Sequence, residues 1–163
     1  MYDNILLPTD GRPGTDQPLT RALDLARTFE ATVHALYVIP TQPAGDEHVE
    51  AVREPLEEQG HAATMTVQDR AEDIGLDVVR EIREGTPFRT ILEYVDENDI
   101  DLTVMGTPSR EESPGTHLGS TTERVLVRSE TPVLTVELGS SLAVPENRYG
   151  MYDRVVIATD GSD

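Results

Sequence analysis

Five short apolar segments recur along the chain, and a stretch with helical features separates each from the next. The segments predicted as strands are 4–9, 32–39, 76–82, 102–105 and 133–138. Alternation of strands and helices at this spacing predicts a parallel sheet, because right-handed crossovers place the helices on both of its faces. The sequence therefore predicts an α/β protein with an open, five-stranded parallel sheet.

Four helices are predicted between these strands. Residues 17–30 carry apolar side chains at helical spacing, which predicts one buried face. Residues 46–69 are predicted as helix interrupted near Pro55 and Gly60, because a proline in mid-helix removes a hydrogen bond and kinks the axis. Pro87 suits the first position of the third helix, and the fourth helix is predicted over 119–129.

The carboxyl ends of the first and fourth strands are the predicted place for a ligand. In open parallel sheets, ligands bind beyond the strand ends at the point where the strand order reverses. The first and fourth strands should flank that point, whereas the third strand alternates apolar and polar residues and should lie near an edge. Asp10 and the loop after the fourth strand should then face each other.

The loop after the fourth strand has the features of a phosphate-binding loop. It contains Gly106, Ser109, Gly115 and Gly119, and it enters a helix at Ser120. The first backbone N–H groups of a helix have no intrahelical partner, and the helix dipole favours an anion beside them. The sequence therefore predicts a site where a phosphate-bearing ligand binds at this helix start.

The charge balance of the chain limits its partners. The sequence has 31 acidic and 13 basic residues, every basic residue is arginine, and the formal net charge is −18. Such a surface repels itself unless salt screens it, and the screening length falls from about 10 Å at 0.1 M to about 3 Å at 1 M. This composition resembles proteins of extreme halophiles, and it argues against nucleic acid or an anionic membrane as partner.

Several functional classes lack their sequence features here. There is no cysteine, no apolar run reaches the roughly 20 residues that span a bilayer, and the first residues have no signal-peptide pattern. A cytoplasmic protein is the expectation. The sequence has no G-x-S-x-G element and no complete Walker A element, and its four histidines lack metal-ligand spacing. No catalytic residue and no metal ligand is therefore predicted, and binding is favoured over turnover.

The start of the chain is repeated near its end. MYDNILLPTDG at residue 1 and MYDRVVIATDG at residue 151 are identical at six of eleven positions. We interpret 1–139 as one domain, 140–150 as a linker and 151–163 as the start of a truncated second repeat. We expect the strand of this tail either to pair with the sheet edge of a partner chain or to be disordered.

Four segments of the chain resemble the universal stress protein family. They read ILLPTDG, ALYVIP, EGTPFRTILEYVDENDIDLTVMGT and LGSTTERVLVRSETPVLTV. The resemblance implies a Rossmann-like fold of the adenine nucleotide alpha hydrolase type, with strand order 3-2-1-4-5. It also implies a homodimer formed through the last strand, from Val133 to Leu138.

The same resemblance implies a site for ATP. Some members bind ATP through a Gly-x2-Gly-x9-Gly-Ser/Thr loop, which Gly106, Ser109, Gly119 and Ser120 match with serine at the second glycine position. Asp10 would lie by the ribose and phosphates, and the backbone of Val38 would face the adenine. The predicted nucleotide-binding residues are Thr9, Asp10, Gly11, Val38, Met105, Gly106, Ser109, Arg110, Gly119, Ser120 and Thr121. Glu111 and Glu112 repel a triphosphate unless they turn outward or a divalent cation such as Mg²⁺ bridges them.

Several of these residues also have an interpretation that needs no ligand. Ser120 and Glu123 have the spacing of a capping box, which stabilises a helix start by itself. Asp10 can hydrogen-bond the turn before the first helix, and Val38 can be a core residue. The sequence therefore leaves three functions open: an ATP-binding regulatory module, a dimerisation or scaffold module without nucleotide, and a slow ATPase.

Overall fold

The structure, a computed structural model, describes residues 2–12, 14–41, 49–108 and 118–138, and for residues 49–52 the backbone alone. Strands and helices alternate through these residues. They are β1 (Asn4–Thr9), α1 (Asp16–Phe29), β2 (Thr32–Pro40), α2 (Val49–Glu72), β3 (Val78–Gly85), α3 (Pro87–Glu97), β4 (Leu102–Thr107), α4 (Ser120–Arg128) and β5 (Val133–Glu137). None of the helices in these ranges is both long and apolar enough to cross a membrane.

The five strands form one parallel sheet in the order β3-β2-β1-β4-β5. The predicted fold class and strand order are confirmed. β1 is central, because the chain first moves outward through β2 and β3 and then returns to the other side of β1 with β4. The strand order therefore reverses between β1 and β4, and their carboxyl ends mark the crevice where ligands bind in such sheets.

The two faces of the sheet carry separate cores. Side chains alternate along β1, so that Ile5 and Leu7 face α1 and α2 whereas Leu6 faces α3 and α4. All three side chains are buried, with at most 4% of their surface exposed. Helices thus cover both faces, as the alternation of strands and helices predicts.

Helix α2 is continuous, so the predicted interruption near Pro55 and Gly60 is wrong. Pro55 lies in the first two turns, and the buried part of α2 follows it at residues that include Thr64 and Val67. Gly60 does not interrupt α2; it lies where α2 comes close to β2. A Cβ atom at Gly60 would lie 2.7 Å from Cδ1 of the buried Tyr37 ring, so the missing side chain lets α2 pack against β2.

The bounds of two strands, β3 and β4, also differ from the prediction by two or more residues at one or both ends, whereas those of β2 and β5 differ by one residue. β3 begins at Val78 rather than at residue 76, because the N–H of Leu76 donates to the carbonyl oxygen of Ala71 and ends α2. Its far end extends to Gly85, which pairs with Pro40 of the long strand β2. β4 likewise extends to Thr107 along β5. The predicted edge position of β3 is confirmed, since among the described strands β3 pairs with β2 alone.

Candidate functional site

A cavity of about 590 Å³ lies at the carboxyl ends of β1 and β4. The end of β2, the first turns of α1, α3 and α4 and one side of α2 also contribute to its walls. Its position is the one that the reversal of strand order predicts. Asp10 after β1 and Gly106 near the end of β4 both line it, as expected from the sequence.

Seven of the residues predicted to bind nucleotide line this cavity. They are Thr9, Asp10, Gly11, Val38, Met105, Gly106 and Thr121. Gly119 and Ser120 begin α4, but they are not among the described residues that line the cavity. Ser109 and Arg110 lie outside the described residues.

The turn after β1 is organised by its own side chains. The N–H of Arg12 donates to Oδ1 of Asp10 at 3.1 Å, and the N–H of Gly11 donates to Oγ1 of Thr9 at 3.3 Å. Gly11 has a φ of +69°, a left-handed conformation that favours glycine. The prediction that Asp10 hydrogen-bonds this turn is confirmed, and its second carboxylate oxygen remains beside the Arg12 guanidinium at 3.3 Å.

Helix α2 forms a wall of the cavity that the sequence analysis missed. Gln59 reaches from α2 to the turn after β1, where its Nε2 donates to the main-chain oxygen of Asp10 at 2.9 Å. Gly11 makes room for it, because a Cβ there would lie 2.9 Å from Cγ of Gln59. Ala62 and Ala63 line the same wall. These small residues, next to Gly60, were the available signal that α2 lies against a site.

The start of α4 differs from the predicted capping box. Gly119 is the N-cap residue with a φ of +77°, Ser120 is the first helical residue, and among the described residues no side-chain hydrogen bond caps the helix. A capping box needs serine at the N-cap, three residues before the glutamate, so Ser120 and Glu123 are one position out of phase. Instead, the hydroxyl of Thr122 donates to the carbonyl oxygen of Gly106 at 3.0 Å and ties α4 to β4.

The charged groups of the cavity lie at its mouth. Among the described lining residues these are Asp10, Arg12 and Asp16, and Asp16 pairs with Arg70 of α2 at 3.2 Å. Deeper in the wall, burial and then the nearby Asp10 carboxylate raise the pKa of Tyr37. Tyr37 therefore stays neutral at physiological pH. Within the described ranges no group of three or more histidine, aspartate or glutamate side chains is placed to hold a metal ion.

Comparison with known proteins identifies the family. The model of the universal stress protein family matches residues 1–137. The universal stress protein MJ0531 of Methanocaldococcus jannaschii is 33% identical over 141 residues, which cover 84% of this chain and 83% of that protein.

Solved structures share the fold. A universal stress protein in complex with cAMP aligns with a TM-score of 0.63 at 24% identity, covering 83% of this chain and 97% of that one. The universal stress protein from Archaeoglobus fulgidus in complex with dAMP aligns with a TM-score of 0.59 at 18% identity, covering 82% of this chain and 97% of that one. With the family model matched over nearly all of its described residues, and with the sheet order and cavity in place, this chain belongs to the universal stress protein family.

Proposed function

We propose that this protein binds an adenine nucleotide in the cavity between β1 and β4 and acts as a cytoplasmic regulatory module of a stress response. The observation that carries the proposal is the cavity itself. Its volume of about 590 Å³ lies within the roughly 300–1,000 Å³ of small-molecule sites. The solved complexes of universal stress proteins with cAMP and dAMP support an adenine nucleotide as the ligand class.

The apolar part of the wall suits the base. Val38 and Met105 line the cavity and belong to the core between the sheet and α3 and α4, so they offer a fixed apolar surface. Thr9 and Asp10, at the end of β1 and just after it, also line the cavity. The carboxylate of Asp10 can accept hydrogen bonds from ribose hydroxyls. Adenine would therefore lie towards the strands and the ribose towards the turn after β1.

The phosphates would lie towards α4. Thr121 lines the cavity in the first turn of this helix, where backbone N–H groups have no intrahelical acceptor and the helix dipole favours an anion. Asp10 and Asp16 at the mouth repel a triphosphate that arrives alone. We therefore propose ATP together with Mg²⁺ as the ligand, with Arg12 as the one basic residue among the described lining residues and with Gly119, Ser120, Ser109 and Arg110 completing the phosphate side.

Calorimetric titration of the full chain in multimolar KCl tests this proposal. ATP with Mg²⁺ should release heat and raise the melting temperature, AMP and cAMP should bind more weakly, and GTP should bind least. Absence of both heat and thermal shift with every adenine nucleotide would overturn the proposal in favour of a scaffold module without nucleotide. Release of phosphate above the background rate, lost in Asp10→Ala, would instead indicate a slow ATPase.

A matched pair of variants locates the ligand. Ala62 lines the cavity from α2 yet is exposed, so Ala62→Leu should fill space without disturbing the core. The neighbouring His61 is also exposed and does not belong to the lining, so His61→Leu is the control. We expect Ala62→Leu to weaken ATP binding by about tenfold, which is about 1.4 kcal/mol, and His61→Leu to leave it unchanged. If both variants bind ATP with equal affinity, the nucleotide binds outside this cavity.

We also propose that the protein forms a homodimer through β5. Among the described strands, β5 pairs with β4 alone, so β5 lies at one edge of the described sheet, where a strand of a second copy can pair with it. The N–H of Leu138 donates to the carbonyl oxygen of Thr107, so by alternation the N–H of Thr135 points away from β4. Thr135→Pro should therefore remove a backbone hydrogen bond between the subunits without disturbing the pairing of β5 with β4. Thr135→Val keeps its N–H and should preserve both. Sedimentation velocity should show monomers for the first variant and dimers for the second.

A further inference from the structure

Three arginine side chains surround one phenylalanine on the α3–α4 side of the molecule. The guanidinium carbons of Arg124, Arg128 and Arg89 lie 5.2, 5.4 and 5.7 Å from the centroid of the Phe88 ring. Phe88 and Arg89 belong to the first turn of α3, and the other two arginines lie one turn apart on α4. None of the four lines the cavity.

This concentration of positive charge has no counterion among the described residues. No carboxylate of the described ranges lies within 4 Å of Arg89, Arg124 or Arg128, although Glu93 and Glu123 are close in sequence. Of the other described arginines, Arg12, Arg53, Arg70 and Arg83 form ion pairs with carboxylates. Arg21, Arg27 and Arg80 have no carboxylate of the described ranges within 4 Å either, but they do not surround a shared ring. Guanidinium groups held around one ring repel one another, and an anion between them relieves that repulsion.

An exposed apolar side chain lies beside the arginines. Val127 is 76% exposed, and its position three residues after Arg124 makes the two residues neighbours on the surface of α4. A small anion gains nothing from Val127. Protein interfaces, however, are enriched in arginine and aromatic residues around an apolar centre.

We propose that Phe88, Arg89, Arg124, Val127 and Arg128 form a docking surface for an acidic segment of another protein, and we call it the arginine surface. Carboxylates of the partner pair with the guanidinium groups, and an apolar side chain of the partner packs on Val127. The net charge of −18 repels every anionic occupant, but a short acidic segment carries far fewer charges than nucleic acid or an anionic membrane and is repelled least.

Fluorescence anisotropy with a labelled acidic amphipathic peptide tests the proposal on the full chain. The peptide carries glutamate and leucine at helical spacing, and the measurement uses the lowest KCl concentration at which circular dichroism shows the folded protein. The charge-reversed variant Arg124→Glu/Arg128→Glu should bind it at least about tenfold more weakly. The control Arg21→Glu/Arg27→Glu makes the same change in net charge on α1 and should change affinity less than about twofold.

Further probes separate the proposed occupant from others. Val127→Asn should weaken binding of the amphipathic peptide and leave binding of tripolyphosphate unchanged. Failure of the peptide to bind, equal losses in the α1 control, or tripolyphosphate binding as tight as that of the peptide would each overturn the proposal. Self-association that sedimentation shows to be lost in Arg124→Glu/Arg128→Glu would also overturn it, because the surface would then serve a second copy of this chain.

Discussion

The side-chain amide of Gln59 donates a 2.9 Å hydrogen bond to the main-chain oxygen of Asp10 and so joins α2 to the turn after β1. We expect Gln59→Ala to lower the free energy of unfolding by about 0.5–1.5 kcal/mol, because this bond is lost and the carbonyl is partly open to water. Urea unfolding measures the change. Glu58→Ala, at the neighbouring exposed position of α2, is the control and should leave the midpoint nearly unchanged.

Gly60→Ala separates local helix propensity from packing. Propensity alone predicts a gain of about 1 kcal/mol in a helix interior. The added Cβ would lie 2.7 Å from the buried Tyr37 ring, so we expect instead a loss of about 1–3 kcal/mol in urea unfolding. The double variant Gly60→Ala/Tyr37→Leu should recover part of this loss. A stabilised single variant would show that α2 does not pack closely on β2.

Thr122→Val tests the bond between α4 and β4. Thr122 is 5% exposed, and its hydroxyl donates to the carbonyl oxygen of Gly106 at 3.0 Å. Valine has the same shape but no donor, so we expect a loss of about 1 kcal/mol in the free energy of unfolding. Thr121→Val is the control for stability, since Thr121 is less buried. Equal stability of the two variants would contradict a structural role for this hydroxyl.

His34 should make the protein less stable in mild acid. Its Nδ1 lies 2.9 Å from the Tyr94 hydroxyl, and burial lowers its pKa while the charge of Glu81 opposes this shift. The unfolded chain therefore binds more protons than the folded chain as the pH falls below the ordinary value of 6.5, and the free energy of unfolding decreases with it. Above that pH the histidine is neutral in both states and contributes no pH dependence.

Denaturation midpoints at about pH 7.5 and about pH 5.5 measure this effect. His34→Gln should have a shallower decrease between the two values, whereas His61→Gln, at an exposed position, should follow the parent protein. An unchanged decrease in His34→Gln would assign the pH dependence to the carboxylates instead.

Salt should stabilise this protein. With a net charge of −18, the folded chain repels itself across its surface, and raising KCl from about 0.1 M to about 1 M shortens the screening length from about 10 Å to about 3 Å. The melting temperature should therefore rise with KCl. The charge-reversed variant Arg124→Glu/Arg128→Glu has a net charge four units more negative and should depend on KCl more steeply. A melting temperature that falls with KCl would contradict the halophilic interpretation.

The parallel sheet was predictable because its strands are short apolar runs that alternate with helical segments, and its strand order was implied by the resemblance to the universal stress protein family. The bounds of β3 were not predictable in this way. Leu76 has the sequence features of a strand residue, although its N–H donates to the carbonyl oxygen of Ala71 where α2 ends. The interruption of α2 near Pro55 and Gly60 was predicted wrongly, because local helix propensity takes no account of the packing of Gly60 on Tyr37. The cavity's place followed from topology. Gln59 and Thr122 were missed because their partners are backbone oxygens distant in sequence.

Helix α4 has one further consequence. Its first turn lines the cavity through Thr121 and Thr122, and Arg124 and Arg128 belong to the same nine-residue helix. At 1.5 Å per residue this helix is a rigid rod of about 13 Å, so its two ends move together. If the proposed nucleotide shifts α4 on binding, the affinity of the arginine surface for its partner would change, and by thermodynamic reciprocity the partner would change the affinity for the nucleotide by the same factor. Helix α4 would thus couple the binding of a metabolite to the binding of a protein.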